Sequence, residues 1–364
     1  MKELTTKEQE VFDLICVNPQ ISQDELAKIL NITRSSVSVH ISNLLKKRYI
    51  EGKGYIVNRK DKLVVIGASM IDIVGRSRNP LIHNDSNPGQ IRVSAGGVSR
   101  NISENLSRLG AHVSLLTALC DDSFGQMIKE SCIQANVDIS EAYMVHGEST
   151  TTYIAILDDA GDMDLALSDT TALDKIPVDY ILKKDYVLKG SEIIVVDAVL
   201  PSDVMDLIGQ KYGASKRIFI DPVSVGKAKS IKDKLHYFDT LKCNRLEAEF
   251  LSDVKIKSRN DVIKAAEVLM SKGLKYIYIT LGSEGVFYHT EVESGFMDNQ
   301  KTTIQNATGA GDAFMAGLVY AKLNEYEEKE CVKFALTCAS IAIESPYTVN
   351  PNISFEMVKE RMKQ

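Results

Sequence analysis

The sequence is short of the features that mark a secreted, membrane-spanning or metal-knotted chain. Its six cysteines (Cys16, Cys120, Cys132, Cys243, Cys331 and Cys338) are scattered, with no C-x-x-C pair and no histidine cluster beside them. That argues against both a zinc site and a disulfide framework. No apolar run approaches the length of a membrane span, and the stretch from Glu192 to Leu200 falls far short of one. The first ten residues are polar and charged, unlike the apolar core of a secretory leader. Prolines number eight in 364 residues, and no internal repeat or low-complexity tract occurs, which excludes a disordered or fibrous chain. A cytoplasmic protein with no membrane partner is expected, long enough for one large α/β domain or for a large domain and a small one.

What is present is unevenly charged. Residues 1–60 carry ten Lys/Arg against seven Asp/Glu, or +3, and the remainder carries 33 against 42, or −9. A basic head on an acidic body points to two modules with different partners. The head reads as three short helices and a strand pair. The first helix runs from Thr6 to Asn18 with Val11, Leu14 and Ile15 inward. Ser22 caps the second, with Glu25 three residues on and Leu26, Ile29 and Leu30 as its inner face. Thr33 caps the third, which buries Val37, Ile41, Leu44 and Leu45. Strands at 49–50 and 55–57 flank a glycine turn. This pattern over residues 4–58 resembles the winged helix-turn-helix of bacterial transcription regulators. The resemblance implies DNA as a partner, with the third helix in the major groove. Arg34, Ser35, Ser36, Ser38, His40 and Asn43 would then meet bases and phosphates, and Lys46, Lys47, Arg48 and Lys53 would add phosphate contacts. A docking or dimerisation module with solvated charges is the alternative reading of the same pattern.

After residue 60 strands and helices alternate. Strands are expected at 63–66, 113–119, 193–197, 217–221, 239–243 and 275–281, which implies a largely parallel sheet covered on both faces. The segment from about 143 to 168 differs, because 151–157 and 163–167 read as a β-hairpin, a natural lid over a substrate site.

The most informative segment is Asn306-Ala307-Thr308-Gly309-Ala310-Gly311-Asp312-Ala313-Phe314. Its glycines let backbone amides of Gly309, Ala310 and Gly311 converge just before a helix, whose N-terminus suits an anion. In phosphoryl transfer that anion is the charge developing on the γ-phosphate, and Asp312 would take the acceptor's proton. An N-capping Asp after a glycine turn is the plainer reading. Against it, Asp72, Asp197, Asp221, Asn244 and Thr280 all follow strand ends, the edge where open α/β sheets bind ligands. Asn244 and Glu247 lie three apart at a helix start and can position Mg²⁺ through water. Thr280 with Gly282 and Gly285 forms a turn suited to nucleotide contact, and Gly96-Gly97 opens a helix carrying Arg100 and Asn101.

Gly96-Gly97 with Asn101, Asn244 with Glu247, and Thr308-Gly309-Ala310-Gly311-Asp312 resemble, in that order, the motifs of the ribokinase-like (PfkB) carbohydrate and nucleoside kinases, over about residues 61–360. The resemblance implies a doubly wound, mostly parallel α/β sheet with a β lid, Mg·ATP as donor, and Asp312 as base. It implies an anion hole from the amides of Gly309 to Asp312, and Asp72, Gly97, Arg100 and Asn101 at the acceptor. It also implies a nucleotide site at Asn244, Glu247, Thr280, Gly282 and Gly285, and it extends the cofactors to K⁺. Within the family, the segments 85–91, 96–102, 221–224, 244–249 and 347–351 resemble the bacterial pseudouridine kinases. Arg100 beside Asn101 departs from most sugar kinases, where a small residue is usual. Phosphorylation of the 5′-hydroxyl of pseudouridine is therefore the expected reaction. A related sugar or nucleoside, or a regulator that only senses such a ligand, are the alternatives. Because helix-turn-helix modules act in pairs on two-fold sites, a homodimer is expected.

Overall fold

The computed structural model describes residues 4–18, 21–50 and 62–363. It divides into two compact units, Met1–Lys60 and Asp61–Gln364.

The first unit is a three-helix cluster. Helix α1 (Thr6–Val17) and helix α2 (Gln23–Leu30) each begin with a capping box, Thr5 with Glu8 and Ser22 with Glu25. Helix α3 (Arg34–Lys46) is capped by Thr33, and Asn31 takes a left-handed conformation (φ 50°) to turn the chain between α2 and α3. The core is Val11, Ile15, Leu26, Val37, Ile41, Leu44 and Ile50. Ile29 and Leu45, expected on inner faces, are exposed. Each adjoins another apolar residue, and neighbours on a helix point 100° apart, so one of each pair turns outward. Of the strand pair expected at 49–50 and 55–57, the turn and the second strand lie outside the described residues.

The second unit is built on an eight-stranded sheet. Its strands are β1 (Lys62–Ile66), β4 (His112–Leu116), β9 (Ile193–Asp197), β10 (Arg217–Asp221), β11 (Thr240–Asn244), β12 (Tyr276–Thr280), β13 (Val286–Thr290) and β14 (Ser294–Met297). The order is β14-β13-β12-β11-β10-β9-β1-β4. Six strands are mutually parallel, and β13 and β14 add an antiparallel edge. The central strands are apolar on both faces because both are covered. Val64 and Ile66 of β1 join one core cluster, while Leu63 and Val65 join the other, under the helices 98–108, 310–323 and 328–343.

A second sheet of four strands contains β2 (Met70–Ser77), β3 (Gly89–Gly96), β7 (Thr152–Leu157) and β8 (Met163–Asp169), in the order β3-β2-β7-β8. The expected lid hairpin is β7 with β8, and the lid sheet is twice as wide because β2 and β3 join it. Residues 143–145 lie outside that sheet: they form β6 (Tyr143–Val145), which pairs in parallel with β5 (Ala118–Cys120). One face of the lid carries Asp72, Ser94, Tyr153 and Ser168 in register. The opposite face carries Val93, Ile73, Ile154 and Leu167 in one row and Ile91, Gly75, Ile156 and Leu165 in the next. Among the described residues, no helix is long and apolar enough to cross a membrane.

Candidate active site

Polarity gathers at the carboxyl ends of the parallel strands. Asp197 ends β9 and stands in register with Asp221 at the end of β10; Asn244 ends β11 in register with Thr280 of β12. In an open α/β sheet this edge is where ligands bind.

The helix Ala310–Leu323 starts against this edge. Its N-cap, Gly309, has φ 85° and offers no capping side chain. A Cβ there would overlap the carbonyl oxygen of Thr348, so the close approach admits only glycine. The first-turn amides are thus left without a side-chain partner, and with the helix dipole they suit an anion. A charge lies beneath them: a Cβ on Gly311 would stand 2.8 Å from the Nζ of Lys242. Lys242 is buried in β11 and donates to Asp221 Oδ2 at 2.8 Å. Burial opposes its positive charge, but Asp221, with Asp312 and Glu247, outweighs that and lifts its pKa above the usual lysine value.

Asp312, in the first turn of the same helix, accepts from Asn101 Nδ2 at 2.9 Å. One edge of the residue reaches solvent, yet its carboxyl lies low among protein groups. Burial pushes its pKa up to about 7; Lys242 and the Asn101 hydrogen bond pull it down, and Asp221 and Asp197 push it further up. A carboxylate titrating near neutrality can accept a proton and release it.

Asn101 is positioned by helix α4 (Val98–Arg108), whose N-cap is Gly97 at φ 97°. A Cβ on Gly97 would come 2.5 Å from the carbonyl of Ala68, so this start also depends on glycine. Buried Asp197 fixes that approach, accepting from the Ala68 amide and the Ser99 hydroxyl, each at 2.7 Å. Burial raises its pKa to about 6 in spite of those bonds. Asp72, on lid strand β2, stands over Gly96, where any side chain would overlap its carboxyl. Burial raises Asp72 to about 6, with Arg100 pulling the other way.

Arg100 differs from the expectation of an acceptor contact. It is 95% buried, and its guanidinium donates to Ala95 O at 3.3 Å, Asn101 Oδ1 at 3.0 Å, Ser131 Oγ at 2.6 Å and the Glu104 carboxylate. Its terminal nitrogens are committed to protein partners rather than to an open site.

Asn244 and Glu247 form a reciprocal cap. The Asn244 side chain accepts from the Glu247 amide at 3.0 Å, and Glu247 accepts from the Asn244 amide at 2.8 Å. Asn244 is exposed at the sheet edge, while Glu247 is buried, with its pKa raised by burial and then by Asp221. Thr280 Oγ1 donates to Cys243 O at 3.3 Å. Gly282 (φ 63°) and Gly285 (φ 86°) frame the turn after β12, with open space over Gly282. Among the described residues, no group of three or more His, Cys, Asp or Glu side chains could hold a metal.

The sequence reading missed Lys242. The signal was available: a lone cation in the otherwise uncharged strand Thr240-Leu241-Lys242-Cys243 must find a partner if the strand is buried.

In the first unit, Arg34, Ser35, Ser38 and Lys46 are exposed on α3. The Ser36 hydroxyl bonds Thr33 Oγ1 at 2.8 Å, within the cap. His40 turns one ring nitrogen, Nδ1, inward without a hydrogen-bond partner among the described residues. Lys47, expected at a phosphate, donates to Glu8 of α1 at 2.7 Å.

An open, mostly parallel sheet, a second four-stranded β sheet and a glycine-started helix at the strand ends make up the ribokinase-like fold. The family profile "pfkB family carbohydrate kinase" matches residues 60–354, and the chain belongs to that family. A winged helix-turn-helix DNA-binding profile matches residues 4–51. Pseudouridine kinase of Escherichia coli is 37% identical over 303 residues, covering 83% of this chain and 96% of the relative. An uncharacterized sugar kinase of the same organism is 34% identical over 352 residues, covering 96% of this chain and 97% of the relative, head included. The structure of Arabidopsis thaliana ribokinase complexed with ribose and ATP superposes with a TM-score of 0.74 at 19% identity, over 84% of this chain and 99% of that one, a likeness of fold.

Proposed function

We propose that the chain transfers the γ-phosphoryl group of ATP to the 5′-hydroxyl of a nucleoside, pseudouridine first among candidates, giving the 5′-phosphate and ADP. The observation that carries this reading is Asp312: a carboxyl tuned to about pH 7, bonded to Asn101, in the first turn of an uncapped helix. The 37% identity to a pseudouridine kinase across nearly its whole length supports the substrate.

In this reading Asp312 removes the hydroxyl proton as the oxygen attacks the γ-phosphorus in line. The amides of Gly309, Ala310 and Gly311 receive the charge that develops on the phosphoryl oxygens, with Lys242 buried behind them. Asp72, on the polar face of the lid, and Asn101 hold acceptor hydroxyls, and Gly97 lets the ligand reach the backbone. Asn244, Thr280, Gly282 and Gly285 line the nucleotide side. Magnesium, when bound, neutralises phosphate charge. The donor set fits an ion held through water, because Glu247 is one buried carboxylate rather than a cage, and Mg²⁺ keeps most of its waters. K⁺ is proposed on the family resemblance alone. Closure of the lid excludes water, the competing acceptor.

We also propose that the head binds DNA through Arg34, Ser35, Ser36, Ser38, His40 and Lys46, and that the protein acts as a homodimer. The apolar outer face of the lid, where Ile91, Leu165 and Leu167 are 77%, 55% and 64% exposed, supports a second copy as its cover.

The test is ADP release from purified protein with Mg·ATP against pseudouridine, uridine, other nucleosides, ribose and fructose. Selective release with pseudouridine supports the full reading. Release with another acceptor retires the substrate only, and silence from folded protein favours a ligand-sensing regulator.

A further inference from the structure

Asn101 reaches Asp312 through one half of a side-chain amide whose two ends are nearly equal in shape and opposite in hydrogen bonding. Which end faces the carboxyl decides whether the contact attracts or repels. Arg100 settles the choice. A guanidinium can only donate, and Arg100 Nη1 lies 3.0 Å from Asn101 Oδ1, which leaves Nδ2 to donate to Asp312 Oδ2 at 2.9 Å.

The guanidinium is itself held from three sides. Nη2 donates to Ser131 Oγ of helix α5 (Ser123–Gln134) at 2.6 Å and to Glu104 one turn on in α4, and Nη1 also donates to Ala95 O of lid strand β3 at 3.3 Å. Glu104 is gripped in addition by Arg108, whose Nε donates at 2.8 Å. The Nε is buried and unpartnered among the described residues, so the guanidinium is held through its two terminal nitrogens.

We propose that Arg100 is a positioning residue for phosphoryl transfer, locking the Asn101 amide so that it donates to Asp312. This rests on Asp312 being the base. The charged and titratable groups around the lock are Glu104 on α4, Cys132 beside Ser131 on α5, and Asp72 on β2, all facing Arg100. Lys242 on β11, Asp221 on β10 and Asp197 on β9 face Asp312. The Asn101 amide stands between Arg100 and Asp312, accepting from the first at one end and donating to the second at the other, so the lock acts through it. Loss of the lock removes a bond that favours the charged carboxylate, and the proton affinity of Asp312 rises.

The test compares Arg100→Met, Arg100→Lys, Asn101→Ala and the double variant Arg100→Met/Asn101→Ala, using Mg·ATP and the acceptor that gives ADP release. Arg108 still partners Glu104 in Arg100→Met, so that variant leaves no acid stranded; Arg100→Lys keeps a cation in place but cannot bridge both partners. The expected result is an acid limb of kcat moved up by about one pH unit in Arg100→Met. The double variant is expected to be no worse than Asn101→Ala, because two residues acting through one contact are not additive. Equal losses at every pH, or additive losses, overturn the proposal. The same proton is read without turnover from the pH dependence of Tm, comparing wild type and Arg100→Met each with its Asp312→Asn counterpart; an unmoved midpoint overturns the proposal even in a protein with no activity. Retained turnover in Asp312→Asn alone overturns the base assignment instead.

Discussion

A buried carboxyl loses much of its hydration, and Asp312 has a single neutral donor, Asn101, in direct contact to replace it. Its pKa of about 7 is the consequence, and a base poised for neutral pH would cost the fold stability. The sign is definite. As pH rises from the ordinary carboxylate range, the unfolded chain ionises first, so the native state loses stability up to about pH 7 and then levels off. Asp312→Asn is therefore expected to raise Tm at pH 8 by a few degrees, roughly 2–5 °C, with the gain vanishing near pH 4, as thermal melts across pH would read. The wild-type kcat should climb through an acid limb near pH 7. At this scale the sequence made Asp312, Asn101 and the strand-end acids legible, since each stands in a motif or just after an apolar run. That Lys242 needs a partner could be read from its apolar strand, but which partner, and the true setting of Arg100, could not. Their roles depend on partners at Asp221 and Ser131, 21 and 31 residues away, which only the sheet register and the α4–α5 packing bring near.

Among the elements, the glycine-started helix and the lid would carry the proposed function. Gly309→Ala would place a methyl group on the Thr348 carbonyl at a left-handed φ of 85°. Turnover is expected to fall at least 100-fold, while the Tm changes by only a few degrees, because the helix start shifts and its amides leave their places. The head offers an independent element. Glu8 accepts from Lys47 and from the Thr5 amide, and those bonds hold its pKa at about 2. A carboxyl so depressed stabilises the fold above its ordinary pKa and loses that contribution as pH falls towards 2. Glu8→Gln should destabilise the head by about 1–2 kcal/mol at pH 7, with the effect shrinking as pH falls below the ordinary carboxylate range and gone only near pH 2, measured by thermal melts of the full chain. The buried parallel strands and helix caps could be read from apolar runs and from Ser22, Thr33 and Asn244. Strands β2, β3, β13 and β14 escaped. The first two are half-exposed and bounded by Gly, Asn and Pro, and the last two follow so closely on β12 that they read as a turn and a loop.

At the scale of the molecule, a basic head and an acidic kinase body form two compact units. All the residues assigned to chemistry lie in the second. Deleting residues 1–60 is accordingly expected to leave kcat within about two-fold while abolishing any DNA binding measured by fluorescence anisotropy. The most direct measurement is transfer of label from γ-labelled ATP to pseudouridine by full-length protein and by Asp312→Asn in parallel, with folding of both verified. Labelled pseudouridine 5′-phosphate is expected from the wild type and a loss of at least three orders of magnitude in the variant, as for removal of a general base acting within an intact anion site. Comparable transfer by the two proteins would contradict the base assignment.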